Sequence, residues 1–231
     1  MNNGILYGIG VGPGDPSLMT LKAVDTIRAC SVVAAPRTKS GNMVALDIAK
    51  QAVDLGDKTI VPLDFAMSHN EAIRTSSHRK AAGVVREYLD AGQSVALLNL
   101  GDISIYASFR YLADLLQPEG YEIAMVPGVP SFCAAASRLG TTLTDMDTPL
   151  RIMPDADNNV QSQIGLPGTT VWMKSGKRLA MLLEKLSVHG VLAKSVIVQN
   201  CGMANERIFH QPRAEEINND YFTLVILKTG E

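Results

Sequence analysis

Chemistry in this chain is concentrated where glycine, proline and a few charged residues interrupt apolar runs. The sharpest interruption is G-V-G-P-G-D-P at 10–16, directly after a strand-like segment. Glycine lets a backbone approach a ligand closely or take a positive φ, while Pro13 and Pro16 stiffen the turn. A dinucleotide fingerprint requires G-x-G-x-x-G, and Gly8, Gly10 and Pro13 fail it at the third position. The acidic residue expected after the second strand is also missing, because Ala35, Pro36 and Arg37 stand there. No Gly-Lys-Ser/Thr phosphate loop occurs. A plain tight turn and a distinct ligand loop both remain. Four further segments have the same character: G-D-I-S-I-Y at 101–106, V-P-G-V-P-S at 126–131, V-W-M-K at 171–174 and N-C-G-M-A-N-E-R at 200–207. Each sits at the end of an apolar run that reads as a strand, which is where open α/β sheets place ligands.

Charge narrows the partners. The formal net charge is −2 with basic residues scattered among acids, whereas a nucleic-acid or membrane-surface binder would carry a basic stripe. A local basic patch facing an anionic small molecule stays open, with Arg37, Lys39, Arg74, Arg79, Lys80, Arg110, Lys174 and Lys177 as candidate cations. Lys174 leads them because it directly follows a strand-end motif residue. His69 and His78 fall nine apart on a polar helix with no third ligand at helical spacing, so they read as exposed residues and no metal site is expected. Cys30, Cys133 and Cys201 are odd in number and far apart, which fits reduced thiols in a cytoplasmic protein. Neither a signal peptide nor a membrane span is visible.

The elements that must position these residues follow from periodicity. Strands are expected at 5–11, 31–35 (stopped by Pro36), 59–63, 94–100, 121–126, 169–173, 195–200 and 222–227. Helices are expected from about 16 to 30, then at 43–53, 69–89, 104–116, 132–139 and 178–189. The run S-V-A-L-L-N-L at 94–100 is apolar almost throughout, as in a parallel strand covered on both faces. Alternating strands and helices in both halves imply an α/β chain of two domains, 1–118 and 119–231, with a ligand expected in the cleft between them. Residues 144–167 are poorly patterned.

Taken together, in this order and at these separations, the five segments resemble the tetrapyrrole methyltransferase family, which uses S-adenosylmethionine and is built from two α/β domains with the cofactor between them. The resemblance runs from Leu6 to the last strand. The opening L-Y-G-I-G-V-G-P-G-D-P-S-L-M-T-L-K-A, the phrase G-D-I-S-I-Y and the ending Y-F-T-L-V-I-L-K are most similar to the precorrin-2 or cobalt-factor II C-20 methyltransferase subgroup. Ile103 departs from the proline that many relatives carry there, and Ala107-Ser108 departs from Ser-Thr.

The resemblance implies that Pro13, Gly101, Asp102, Ile103 and Tyr106 line the cofactor, largely through main chain. Ser131 and Phe132 would face its amino-acid or ribose part, a placement that helix N-terminal N–H groups also favour. Met173 and Gly202 would flank the adenosine, and Thr223 would bond adenine. Gly12, Gly14, Asp15, Arg37 and Lys174 are expected on the substrate side. Lys174 and Asp102 are the candidate catalytic groups, with Asp102 either steering a proton or capping its own turn. S-adenosylhomocysteine would be the product, a carboxylate-rich tetrapyrrole the substrate, and a homodimer the assembly. Methylation of RNA or a protein factor by the same fold, methylation of another ring position of a corrinoid precursor, and a non-catalytic binding module are the competing readings.

Overall fold

The computed structural model describes residues 3–66, 68, 70–154 and 160–229; His69 and the side chain of Lys177 lie outside that description. The chain divides into two compact units, Met1–Pro130 and Ser131–Glu231.

The first unit is built on five parallel strands, β1 (Leu6–Gly10), β2 (Val32–Arg37), β3 (Thr59–Asp64), β4 (Val95–Asn99) and β5 (Ile123–Val126), in the order β3-β2-β4-β1-β5. Their apolar runs are continuous because both faces are covered, and the side-chain alternation separates two cores. Val33, Ala35, Ala96 and Leu98 point to one core, which α1 (Leu21–Ala29) and α2 (Val44–Ala52) close with Ala23, Ile27, Leu46 and Ala49. Val32, Ala34, Val95 and Leu97 point to the other, closed by α3 (Glu71–Asp90) and α4 (Phe109–Leu116) with Val85, Leu89, Leu112 and Leu116. The chain therefore leaves β1 towards one face and leaves the adjacent β4 towards the opposite face. That reversal is the topological switch point where such sheets open a crevice.

The second unit contains α5 (Ser131–Leu139), β6 (Leu150–Pro154), α6 (Val160–Ile164), β7 (Gly168–Met173), α7 (Leu179–Val188), β8 (Ser195–Gln199), β9 (Arg207–His210) and β10 (Thr223–Thr229). Its sheet runs β6-β7-β10-β8-β9, parallel only between β6 and β7. Trp172, Ile197, Val225 and Leu227 pack with Leu179, Leu182, Leu183 and Leu186 of α7 and with Val160 and Ile164 of α6.

Several expectations need correction. The division falls after Pro130 and not after 118, because β5 pairs with β1 and completes the first sheet. Strand β2 passes through Pro36 to Arg37. Its pairing with β4 ends at Ala34, so the proline interrupts no ladder on that side. The helix expected from 104 begins at Phe109, because Tyr106 takes a φ of +50° that no α-helix admits. The helix expected from 16 to 30 is a single 3-10 turn, Pro16–Leu18, followed by α1. Strands β6 and β9 lie in segments whose sequence pattern predicts no strand. Among the described residues, no helix is long and apolar enough to cross a membrane.

Candidate functional site

Backbone, not side chains, builds the centre of the switch point. Gly12 and Gly101, just beyond β1 and β4, bridge in antiparallel fashion: the Gly101 N–H donates to the Gly12 carbonyl at 2.7 Å, and the Gly12 N–H donates back at 3.2 Å. Gly128, beyond β5, presses against the same junction. A Cβ on Gly10 would lie 2.7 Å from the Gly101 carbonyl oxygen and 2.7 Å from the Gly128 nitrogen, and one on Gly128 would overlap that same carbonyl oxygen. Any side chain at either position forces three strand ends apart. Gly101 differs. Its φ is +73°, and a Cβ there would meet only the Val129 oxygen, at 4.0 Å. Room is therefore left beside Gly101 for a ligand at the strand end, and these residues fit the adenosyl group that the sequence resemblance implies.

Asp102 locks this arrangement. It is 8% exposed, and one carboxylate oxygen accepts from the backbone N–H of Ser104 (2.8 Å) and from the Ser104 hydroxyl. The other oxygen accepts from the Gly128 N–H at 2.9 Å, joining the loop after β4 to the loop after β5. Burial pushes this carboxyl upward, but the hydrogen bonds from Ser104, Gly128 and Ile103 outweigh it and hold it below the ordinary carboxylate range. A carboxylate so strongly stabilised is a weak base, so the geometry favours the turn-capping role over proton transfer. Ile103 is buried and Tyr106 is 43% exposed at the same edge. On β1's side, Pro13, Gly12 and Gly14 are buried. Asp15 accepts from the Ser17 N–H (2.8 Å) and hydroxyl (2.6 Å), capping the 3-10 turn.

The candidate cations fare unequally. Arg37 forms a two-pronged pair with Asp64, Nε to Oδ1 at 2.9 Å and a terminal nitrogen to Oδ2 at 2.7 Å, across the β2–β3 ladder. Arg110 pairs with Asp114 one turn along α4, and Arg74 donates to the Ser68 carbonyl at 2.9 Å. His78, expected to be exposed, is half-buried and stacks on Tyr111 with ring centroids 4.1 Å apart and an interplanar angle of 10°. Burial, then the charge of Arg74, lowers its pKa. Among the described residues, no three His, Cys, Asp or Glu side chains gather as they would to hold a metal ion.

The second unit brings its own strand-end residues together. Met173 ends β7 opposite Leu224 of β10. Lys174 follows with a φ of +58°, and burial pushes its ammonium down. Next to it the Ser175 hydroxyl is buried without a hydrogen-bond partner among the described residues, an orphaned donor that a ligand could satisfy. Beyond β8 the chain turns through Asn200 (φ +52°) and Gly202 (φ +76°). Asp220 accepts from the Asn200 side-chain amide (2.8 Å) and the Phe222 N–H (2.9 Å). Thr223 is buried, and its hydroxyl donates to the Asp220 carbonyl (2.8 Å) while accepting from Gln199 (2.9 Å). Its proton is thus committed within the unit and not available to an adenine. Ser131 opens α5, and Phe132 beside it is buried. The role of Glu206, which accepts from the Gly202 N–H at 2.7 Å, was missed by sequence reasoning. Gly202 is only four residues away, but its other partner, Arg138, lies 68 positions distant, where spacing cannot reveal it.

A family model described as Tetrapyrrole (Corrin/Porphyrin) Methylases matches residues 5–217. The cobalamin biosynthesis protein CobIJ of Mycobacterium bovis is 28% identical over 98% of this chain, which spans only 46% of that protein's length. A Methanocaldococcus jannaschii protein named as a probable cobalt-precorrin-2 C(20)-methyltransferase is 31% identical over 96% of this chain and 95% of its own. The crystal structure of a uroporphyrin-III C-methyltransferase from Thermus thermophilus, complexed with S-adenosylhomocysteine, superposes with a TM-score of 0.71 at 22% identity. It covers 97% of this chain and 92% of that one.

Proposed function

Because this chain belongs to the tetrapyrrole (corrin/porphyrin) methylase family, we propose that it methylates C-20 of a cobalamin-pathway tetrapyrrole, precorrin-2 or cobalt-factor II, with S-adenosylmethionine as donor. The observation that carries the reading is the glycine junction of Gly10, Gly12, Gly101 and Gly128, where three strand ends meet through main chain and a Cβ on Gly101 would meet nothing nearer than the Val129 oxygen at 4.0 Å. The choice of C-20 rests on the near full-length similarity to the M. jannaschii protein of that name.

When bound, S-adenosylmethionine supplies an electrophilic methyl on a sulfonium, and the reaction is an in-line displacement. The protein's main task is then alignment, worth up to ~7–11 kcal/mol in the best intramolecular cases. Pro13, Gly101, Ile103 and Tyr106 hold the donor chiefly through main chain in the first unit, with Asp102 fixing their loop against Gly128. In the second unit Ser131, Phe132, Met173 and Gly202 contact it, and Thr223 contributes backbone only, its hydroxyl being engaged. Gly12, Gly14 and Asp15 shape the substrate side. Lys174, whose ammonium is easier to deprotonate than an exposed lysine's, meets substrate carboxylates or takes the proton released at the methylated carbon. Arg37 reaches a substrate carboxylate only by exchanging Asp64 for it. The reading carries a homodimer in the cytoplasm, with neither nucleic acid nor membrane as partner.

The test incubates purified protein with S-adenosylmethionine carrying a 13C methyl and, separately, precorrin-2 and cobalt-factor II. A product with the labelled methyl on C-20 is expected from one or both. Label on another ring carbon removes the C-20 assignment, and label only on RNA or protein removes the tetrapyrrole.

A further inference from the structure

Two carboxylates hold the loop that follows β8: Asp220 takes the Asn200 side chain at its start, and Glu206 fixes the bend at Gly202. Glu206 accepts from the Gly202 N–H at 2.7 Å, and from Arg138 of α5 through Nε at 3.0 Å and a terminal nitrogen at 2.7 Å. Two short backbone bonds close the same loop, Met203 N–H to the Asn200 carbonyl at 2.9 Å and Glu206 N–H to the Met203 carbonyl at 3.0 Å. The Glu206 side chain is only 13% exposed, so both interactions work with restricted solvent screening. The loop needs such a restraint. Asn200 and Gly202 both sit in the left-handed region, which costs a non-glycine residue free energy and persists only where surroundings fix it. The Glu206 carboxylate therefore couples the bend at Gly202 to the helix whose first residues are Ser131 and Phe132.

We infer that Glu206 is a positioning residue for the methyl donor: bridging Gly202 and Arg138, it sets the loop after β8 and the start of α5 in one arrangement to receive the donor's nucleoside and amino-acid parts. The inference rests on the proposed methyltransferase function and adds a residue to it. Glu206 touches no reacting atom in this scheme. Its contribution is made before binding, by removing loop conformations that the donor would otherwise have to suppress.

Isothermal titration with S-adenosylhomocysteine, together with initial rates, tests this on the full chain. Glu206→Ala removes the bonds to Gly202 and Arg138, and that from the Cys201 thiol, and is expected to weaken binding about tenfold, the scale of one charge-assisted hydrogen bond. Glu206→Gln keeps an oxygen for the Gly202 N–H and loses the ion pair; binding about threefold weaker than wild type is expected. Arg138→Ala should match Glu206→Gln. In turnover the loss is expected in KM for S-adenosylmethionine, with kcat and the tetrapyrrole KM changing less than about twofold, a split that general loosening of the fold would not produce. Wild-type affinity in Glu206→Ala, or no recovery in Glu206→Gln, overturns the inference. If Glu206→Ala does not fold, wild-type affinity in both Glu206→Gln and Arg138→Ala overturns it equally. A wild-type protein that fails to bind S-adenosylhomocysteine removes the methyltransferase reading as well, whereas binding that no variant disturbs removes the Glu206 assignment alone.

Discussion

At the scale of single residues, Asp102 shows how a candidate acid–base group becomes a structural one. Its two oxygens serve the Ser104 N–H, the Ser104 hydroxyl and the Gly128 N–H. Asparagine supplies only one oxygen and turns an NH2 group towards a former donor. Asp102→Asn is therefore expected to lose about 1–3 kcal/mol of stability, the cost of an unsatisfied buried group. The sign with pH follows from the lowered pKa. Asp102 contributes fully above the unfolded carboxylate value of about 4, and that contribution is lost as pH falls through the lower folded value. Urea unfolding at neutral pH should thus separate the two proteins, and the gap should narrow in the acid range. A variant as stable as wild type but with kcat reduced a hundredfold would restore the proton-transfer role.

At the scale of elements, the loop after β1 is carried into α1 by Thr20, whose hydroxyl oxygen accepts from the Ala23 N–H at 3.1 Å. The same hydroxyl donates to the Pro127 carbonyl at 3.3 Å. One side chain thus caps the helix and ties it to the segment after β5. Thr20→Ala is expected to cost about 1 kcal/mol, the usual loss for an N-cap, and Thr20→Ser to restore most of it; denaturant midpoints decide. Capping of this kind is written in local sequence, as is the doubly covered strand β4. Other elements were not legible because long-range pairing decides them. Strands β6 and β9 are short and contain no fully buried residue, so no sustained apolar alternation announces them. β5 reads as the start of a second half until its pairing with β1 is known. The glycine edges could be read from residue type. The clamp of Arg138 on Glu206 could not, since it joins positions 68 apart.

At the scale of the whole molecule, donor binding should appear as added stability, because a ligand that binds only the folded chain shifts its unfolding. At a hundredfold excess over Kd the gain is about 2.7 kcal/mol. For a chain of 231 residues, at ~2–4 °C per kcal/mol, S-adenosylhomocysteine should raise the melting temperature by roughly 5–10 °C. Gly101→Ala separates this gain from the stability of the scaffold. At a φ of +73° the new Cβ costs about 1–2 kcal/mol, which lowers the ligand-free melting temperature by a few degrees. The methyl group enters space bounded only by the Val129 oxygen at 4.0 Å, so the strand ends need not separate. The fold is then expected to survive while the ligand-induced rise disappears. Gly128→Ala should do the reverse of sparing the fold, since its Cβ overlaps the Gly101 carbonyl and drives β4 and β5 apart. A full thermal rise in Gly101→Ala would mean that the donor binds away from the switch point, because that methyl group stands where the proposed function puts the nucleoside.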